Sequence, residues 1–320
     1  MTSLLVTGGT GFLGSLISRH LAQSNQYDRI AILSRDWHKH AKLREELEFN
    51  PKFRWFIGDI RDRDRLTRAF NGIDYILHLA AQKDVVSGEY DPRELLLTNC
   101  VGTQNVIEAA IDCRVKKVLV VSSDKSASPL TSYGKSKALA ESLSIAANSY
   151  SPNQTIFSCA RYGNVVSSSS SVIPLFKRQA EKGELTLTSS KMTRYWIMPE
   201  SAVSFVLECL DKMEGGEIFI PHLKSARIKD IAHIISPEAQ IKEIGLRPSE
   251  KVHEVLLAPE EMAHTVDLGW AYRIEPTFKF WTQEDYSASG LPVTNYADFT
   301  SASAARMMLE EMRTMVEYNA

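Results

Sequence analysis

Leu4-Leu5-Val6-Thr7-Gly8-Gly9-Thr10-Gly11-Phe12-Leu13-Gly14 is a short apolar run that breaks into a glycine loop and then opens the amphipathic stretch Leu16 to Leu21. Strand, glycine loop and helix in that order form the entrance to a dinucleotide-binding βαβ unit. Glycines at 8, 11 and 14 permit a tight turn, close approach of backbone to a pyrophosphate, and close packing of the helix on the sheet. The helix N-terminus then offers unpaired N–H groups to the phosphates. Gly8, Thr10, Gly11, Phe12, Leu13 and Gly14 are therefore expected against a cofactor. A lone glycine pattern says little; one in this setting says much.

Further along, Arg29 to Leu33 reads as a second strand ending in Ser34-Arg35-Asp36, about twenty residues past the loop. An acid there favours NAD and an arginine accepts a 2′-phosphate, so Ser34 and Arg35 point to NADP, with Asp36 on a ribose as the alternative. Phe53 to Ile57, Asp74 to Leu79, Lys117 to Val121 and Thr155 to Cys159 continue the series, separated by helical patterns. Six such strands imply an α/β fold with a Rossmann-type, doubly wound parallel sheet. Asp59 and Ile60 after the third strand suit an adenine, and the small residues after the fourth, Leu79-Ala80-Ala81, let a cofactor lie against the backbone. Beyond residue 160 the pattern breaks into loops and short strands such as Glu217 to Ile220. Residues 1–165 are therefore expected to form the dinucleotide domain, and 166–320 mainly a smaller substrate-binding lobe with some elements returning to the sheet. Met307, Met308, Leu309, Met312 and Val316 lie at near-helical spacing, which predicts an amphipathic helix over 304–318.

The carboxyl end of the fifth strand carries Ser122-Ser123-Asp124-Lys125, followed by Tyr133-Gly134-Lys135-Ser136-Lys137. Open α/β sheets place ligands at that end. Tyr133 and Lys137 share a helix face, where an ammonium can lower the phenol's pKa and make it a base for a sugar hydroxyl. Taken alone, Tyr-x-x-x-Lys is more often an ordinary exposed pair. The glycine loop upstream is what gives it chemical meaning.

Composition fits a soluble enzyme. The chain has 320 residues, 44% of them hydrophobic, and a net charge of −2. That length buries a large core, and that charge argues against nucleic acid as a partner. Charge-dense stretches such as Arg61 to Arg65 mix both signs and read as solvated faces. Cys100, Cys113, Cys159 and Cys209 lack metal-like spacing and read as reduced, largely buried thiols, so no metal is expected. No signal peptide or membrane-length apolar run is evident, which implies a cytoplasmic protein without membrane attachment.

Thr7 to Gly14, Leu79-Ala80-Ala81, Ser123-Asp124-Lys125 and Tyr133 to Lys137 together resemble an extended short-chain dehydrogenase/reductase. Ser34-Arg35-Asp36, Phe56 to Asp59, Arg161 to Val166, Met192 to Ile197, Gly216 to Pro221 and Arg247 to Glu254 narrow the resemblance to the inverting UDP-N-acetylglucosamine 4,6-dehydratases. The resemblance implies a UDP-sugar substrate, tightly held NADP, a place in pseudaminic acid or related surface-sugar synthesis, and a homo-oligomer, dimeric or hexameric. It implies Ser123, Asp124, Lys125, Tyr133 and Lys137 as catalytic, with Tyr133 deprotonating O4, Lys125 the C5 base and Asp124 the acid for the C6 hydroxyl. For that, the Lys125 pKa must be pulled down and Asp124 kept protonated. It adds Lys83 and Asn99 beside the cofactor, and Lys83, Asn164, Val172, Thr193, Arg194, Arg247 and Glu250 on the substrate. Arg247 would neutralise the diphosphate and Glu250 bind a ribose hydroxyl.

The chain departs from the family pattern at four places. Asp84 stands where the family has His, Ser167 to Ser170 replace Gly-Ser-Arg-Gly, Ser123 replaces Thr while keeping the hydroxyl, and Ser249 replaces Gly. The first two bear on sugar and diphosphate recognition. Two other readings follow from the same residues: a nucleotide-sugar 4-epimerase of the same superfamily, in which Lys125 is structural, and a non-catalytic NADP-binding regulatory protein.

Overall fold

The structure, a computed structural model, describes residues 2–152, 154–168, 171–282, 285–286 and 290–318. Its spine is a sheet of parallel strands: β1 (Ser3–Thr7), β2 (Arg29–Ser34), β3 (Phe53–Ile57), β4 (Tyr75–His78), β5 (Lys117–Val121) and β6 (Ile156–Ala160). They lie in the spatial order β3-β2-β1-β4-β5-β6. Helices α1 (Phe12–Ala22), α2 (Trp37–Glu46), α3 (Arg63–Phe70), α4 (Val85–Tyr90), α5 (Pro92–Leu95), α6 (Gly102–Asp112) and α7 (Ser132–Ala146) connect them, with a π-helical turn at Leu96–Val101. The expected doubly wound sheet is present, and its five apolar runs after β1 fall within a residue of the strands read from the sequence. Continuous burial on both faces explains their composition: every residue of β1 is buried, and the middle of β2 and β5 likewise.

The mixed-sign stretch 61–65 resolves into local pairings. Asp62 caps α3 by accepting from the Arg65 N–H at 2.9 Å, and Arg61 pairs with Asp59 at 2.7 Å.

Past residue 160 the chain alternates between the sheet and a second layer. β7 (Asn164–Val165), α8 (Val172–Ala180), β8 (Glu184–Leu187), β9 (Thr193–Ile197), α9 (Pro199–Lys212), β10 (Ile218–Pro221), β11 (Lys224–Arg227), α10 (Ile228–Ile235) and β12 (Gln240–Glu243) follow in order. β10 joins β6 in parallel and extends the sheet, and the antiparallel strands β13 (Thr265–Asp267), β14 (Ala271–Ile274) and β15 (Leu291–Pro292) complete that edge. The short strand expected at 217–220 thus belongs to the main sheet. The sheet β11-β9-β7 and the pair β12-β8 form the outer layer. Its own core gathers Phe176, Leu185, Trp196, Ile231 and Met315 among others.

The C-terminal helix α11 (Leu309–Glu317) begins later than its periodicity suggests. Residues 305–308 are extended, because Ser225 of β11 donates its N–H to Ala305 O and accepts from the Met307 N–H at 2.8 and 2.9 Å. The Arg306 guanidinium locks that run onto Ser225 Oγ and the Ser301 carbonyl. Met312, Met315 and Val316 then fill the outer-layer core, and Met308 stays exposed.

Candidate active site

The carboxyl ends of β1, β2, β4 and β5 border a cleft of about 470 Å³, within the size range of cofactor sites. Its floor is the glycine loop. Gly8 sits at φ +68°, and a Cβ there would fall 2.8 Å from the Ala80 N. At Gly14 a Cβ would meet the Gly8 carbonyl and Gly9 backbone at 2.6 Å, so the start of α1 packs directly on the loop. Gly11 caps α1 without any side-chain bond, leaving the helix N–H groups open toward the cleft. A bare helix terminus over glycines that exclude side chains fits a dinucleotide pyrophosphate.

Thr10, Phe12, Leu13, Ser34, Arg35, Asp59, Ile60, Leu79, Ala80, Ala81 and Lys83 all line this cleft. Ser34 ties the loop to α2: its hydroxyl is 2.7 Å from Thr10 Oγ1 and 2.8 Å from His40 Nε2. Asp36 caps α2 by accepting from the Lys39 N–H at 3.1 Å, so its carboxylate is committed to the helix. Arg35 is exposed at the rim, 3.6 Å from Asp59. Lys39, which sequence reasoning missed, joins the lining one helical turn later. Burial and the nearby Lys39 ammonium both bring the Lys83 pKa down. Asn99 lies behind the wall. Its carboxamide accepts from the Gln82 N–H at 2.8 Å and donates to Gln82 O and Ser136 Oγ, fixing the strand-four loop against α7.

The chemistry-bearing turn follows β5. Ser122 and Asp124 donate their N–H groups to Ala160 O and Tyr162 O at 2.7 and 2.9 Å, which stitches the turn to the strand beside it. Gly134 makes the approach of α7 feasible, because a Cβ there would collide with the Lys125 carbonyl oxygen. Asp124 Oδ1 accepts from Ser123 Oγ and from Lys125 Nζ, both at 2.9 Å, and Asp124 Oδ2 is buried without a hydrogen-bond partner. Lys125 Nζ also lies 3.5 Å from Asn164 Oδ1 and 3.6 Å from Glu254 Oε1.

These contacts correct two electrostatic expectations. Burial works against the Lys125 ammonium, but Asp124 and Glu254 outweigh it, and the pKa is raised rather than lowered. Lys125 is thus the donor in a salt bridge with Asp124. The second concerns Tyr133. Burial pushes its phenol above the usual value, and the cation that pulls it back is Lys125, with help from the Ser123 hydroxyl. Lys137 instead donates to Val121 O at 2.6 Å, and burial lowers its pKa. Tyr133, Lys137 and Ser123 all line the cleft.

The residues expected on the substrate divide. Asn164 faces Lys125, and Val172 opens α8. Thr193 is buried, its hydroxyl 2.7 Å from Ser301 Oγ and 2.8 Å from His253 Nδ1. Arg194 is also buried and donates to the carbonyls of Thr193, Lys251 and Val252 at 2.7 to 3.1 Å. It clamps the 251–254 segment and offers no free guanidinium to a phosphate. Arg247 is exposed; its N–H donates to Glu250 Oε2 at 3.1 Å while Glu250 N–H returns to Arg247 O. Ser249 in that turn has φ +61°, and Ser167 has φ +58°. Both stand where the resembled family has glycine, and both backbones keep the left-handed geometry that glycine adopts freely. Ser169 and Ser170 lie outside the described residues. Asp84 has a local reason to be there: it caps α4, accepting from the Ser87 N–H at 2.7 Å.

Sequence reasoning also missed a buried network that supports the turn. Arg161 makes a two-pronged contact with Glu141 at 2.8 and 3.0 Å and another with Glu261 at 2.7 and 2.8 Å. Ser126 Oγ, with one proton to donate, lies 2.6 Å from the Ser123 carbonyl oxygen and 2.7 Å from Glu141 Oε1. All four cysteines are free thiols. Among the described residues no cluster of His, Cys, Asp and Glu is placed to hold a metal, and no helix is long and apolar enough to cross a membrane.

Comparison with known proteins accords with this geometry. The polysaccharide biosynthesis protein family is matched over residues 4–276. The chain is 41% identical to a UDP-N-acetylglucosamine 4,6-dehydratase (inverting) of Campylobacter jejuni subsp. jejuni serotype O:2, over 90% of this chain and 87% of that protein. It is 38% identical to a UDP-glucose 4-epimerase of Rickettsia akari, over 98% of this chain and 95% of the other. Among solved structures, Pen from Bacillus thuringiensis superposes with a TM-score of 0.88 at 33% identity, covering 98% of this chain and 97% of that one.

Proposed function

This chain belongs to the polysaccharide biosynthesis protein family, of the short-chain dehydrogenase/reductase type, and from that premise we propose that it is a nucleotide-sugar hydro-lyase: an NADP-dependent, configuration-inverting UDP-N-acetylglucosamine 4,6-dehydratase. The observation that carries the reading is Lys125 Nζ on Asp124 Oδ1 at 2.9 Å, on the turn whose Ser122 and Ser123 line the cleft. An oxidoreductase that only moves a hydride has no use for that pair.

Tyr133 takes the O4 proton of the sugar; burial raises the pKa of its phenol, and Lys125 and Ser123 offset part of that rise. A dinucleotide held by the glycine loop and the cleft residues would supply the hydride acceptor for C4 and the hydride donor for C6. The resulting 4-ketone acidifies the proton on C5. Lys125 and Asp124 share one proton across their contact. Moving it from ammonium to carboxylate yields the neutral amine that takes the C5 proton and the acid that protonates the leaving C6 hydroxyl. Closure around substrate favours that neutral form, because a low dielectric penalises the charged one. After water leaves, Lys125 holds a proton and Asp124 none, which restores the starting salt bridge. Proton return to C5 from the opposite face inverts that centre and gives UDP-2-acetamido-2,6-dideoxy-beta-L-arabino-hex-4-ulose.

Arg35 and Lys39 at the rim, with Asp36 committed to capping α2, support NADP over NAD. Arg247 and Glu250 remain the candidates for the diphosphate and ribose. Exposed Tyr90, Leu96, Val101 and Leu139, from α4 to α7, support a homo-oligomer. A surface-sugar pathway of the pseudaminic acid type and a cytoplasmic location complete the reading.

The epimerase relatives favour one competitor, UDP-glucose 4-epimerization, in which Lys125 is structural. Incubation with UDP-N-acetylglucosamine and no added cofactor separates the two. Loss of one water from the sugar nucleotide by mass spectrometry supports the dehydratase; an isomer of unchanged mass, from this sugar or from UDP-glucose, contradicts it.

A further inference from the structure

Glu254 is the least explained carboxylate in the molecule. It arrives from the segment after β12, far from the β5 turn in sequence, and is 3% exposed. Three cations surround it: Lys125 Nζ at 3.6 Å and Arg194 Nε at 3.8 Å from Oε1, and Lys251 Nζ at 3.7 Å from Oε2. None of these is a close hydrogen bond, and Oε2 has no hydrogen-bond partner. A carboxylate buried for structure alone is normally saturated with donors; Arg161 with Glu141 and Glu261 shows what that looks like in this same chain. The backbone around Glu254 is nonetheless firmly placed, with its N–H donating to Ser301 Oγ at 2.9 Å and Arg194 holding the carbonyls of residues 251 and 252. The backbone is fixed, and the carboxylate faces three cations at ion-pair distances of 3.6 to 3.8 Å.

We propose that Glu254 is a positioning residue of the elimination centre, a fixed negative charge that acts through Lys125 on the removal of the C5 proton and leaves the oxidation at C4 untouched. The inference rests on the dehydratase reading. In the elimination step the C5–H electron pair becomes the C5–C6 double bond and the C5 proton goes to Lys125. The C6–O bond breaks and the departing oxygen takes its proton from Asp124 to leave as water. Starting from the neutral Lys125–Asp124 pair of the closed complex, a positive charge therefore develops on Lys125 as the step proceeds. Glu254 stabilises that charge more in the transition state than before it, which accelerates the step.

The charged and titratable groups facing Lys125 allow this assignment. Asp124 loses its proton in the same step, Tyr133 acts at O4, and Asn164 is neutral. Arg194 and Lys251 are cations that oppose an ammonium, and burial lowers the Lys251 pKa further. Glu254 is the carboxylate among them that transfers no proton. Oxidation at C4 belongs to Tyr133 and the cleft, neither of which Glu254 touches.

The test is a Glu254→Gln variant, purified with its endogenous cofactor and mixed with UDP-N-acetylglucosamine. An opposite charge within ~4–6 Å shifts a pKa by about 1 to 3 units, so loss of this one is expected to slow elimination about 10-fold or more. Hydride transfer continues, so reduced nicotinamide accumulates as a burst in absorbance that the unsubstituted enzyme does not show, and the substrate KM holds. Glu254→Asp keeps the charge but withdraws it on a shorter arm, and is expected to fall between the two, with elimination slower than wild type and a smaller burst than in E254Q. Wild-type turnover in E254Q, or equal slowing of oxidation and elimination without a burst, overturns the proposal. If E254Q does not fold, E254D decides alone: slower elimination with a partial burst supports the role, and wild-type kinetics overturn it. Wild-type enzyme that releases no water from this sugar sinks the dehydratase reading itself, and the role of Glu254 with it.

Discussion

The glycine loop takes its parts from one continuous stretch, Thr7 to Gly14. The cluster around Lys125 instead gathers Asp124 from the β5 turn, Asn164 from β7, Arg194 from β9, and Lys251 and Glu254 from the segment after β12. The two regions use different physics. The loop works by leaving atoms out, so that backbone can approach backbone and later phosphate. The cluster works by charge, three cations against two carboxylates in a nearly dry site. Steric devices of the first kind survive changes elsewhere in the chain. Charge devices of the second kind depend on every segment that delivers a partner.

The sharpest way to break the comparison is Lys125→Ala. General acid–base groups contribute about 10²- to 10⁴-fold, so dehydration should fall by at least the middle of that range while the purified variant keeps its dinucleotide, seen by absorbance after denaturation. Normal turnover would remove Lys125 from the mechanism. Next in size is Arg161→Met, which leaves Glu141 and Glu261 as buried carboxylates without their cation. Breaking such a pair costs about 3–5 kcal/mol; a urea midpoint unchanged from wild type would contradict the account of that network.

His78, beneath the cofactor cleft on β4, tests the first region by pH. It is fully buried, and burial, then the Lys137 charge, brings its pKa down to about 3. The unfolded chain binds that proton near ~6.5, so the unfolded state holds more protons below that point. Stability is therefore complete above about pH 6.5 and falls as pH drops toward 3, by at most about 1.4 kcal/mol per unit. Replacing His78 by Gln should flatten this slope between about pH 6.5 and 4.5, and urea titrations at the two ends would reveal an unaltered slope. Smallest is Gly8→Ala, where φ +68° and the Ala80 backbone leave no room for a Cβ. Strain of that kind costs about 1–3 kcal/mol, and the variant should be purified with little dinucleotide; full occupancy at wild-type melting temperature would argue against the loop's assignment.

The same division explains how much the sequence disclosed. The strands of the parallel sheet, the glycine loop, and the Asp124, Lys125 and Tyr133 set are local signals, and each was legible. Glu254 carried no signal of its own, because its meaning depends on a lysine in a different layer of the fold. Arg194 was expected on the substrate, and its bonds to the carbonyls of Thr193, Lys251 and Val252, which depend on segments distant in sequence, could not be read from its motif. Residues 305–308 have helical spacing and yet run extended, since Ser225 offers backbone bonds that outweigh propensity. Lys39 was within reach: it lies on the first turn of α2, just past Arg35, on a helix whose capping residue was already in view.

Isotope placement tests the central claim most directly, that the pair at the end of β5 removes the C5 proton of a UDP-sugar and that the centre is rebuilt inverted. UDP-N-acetylglucosamine turned over in heavy water and followed by proton NMR should give a 4-keto product with deuterium at C5 and L configuration. Retained protium at C5, or a D-configured product, would contradict it.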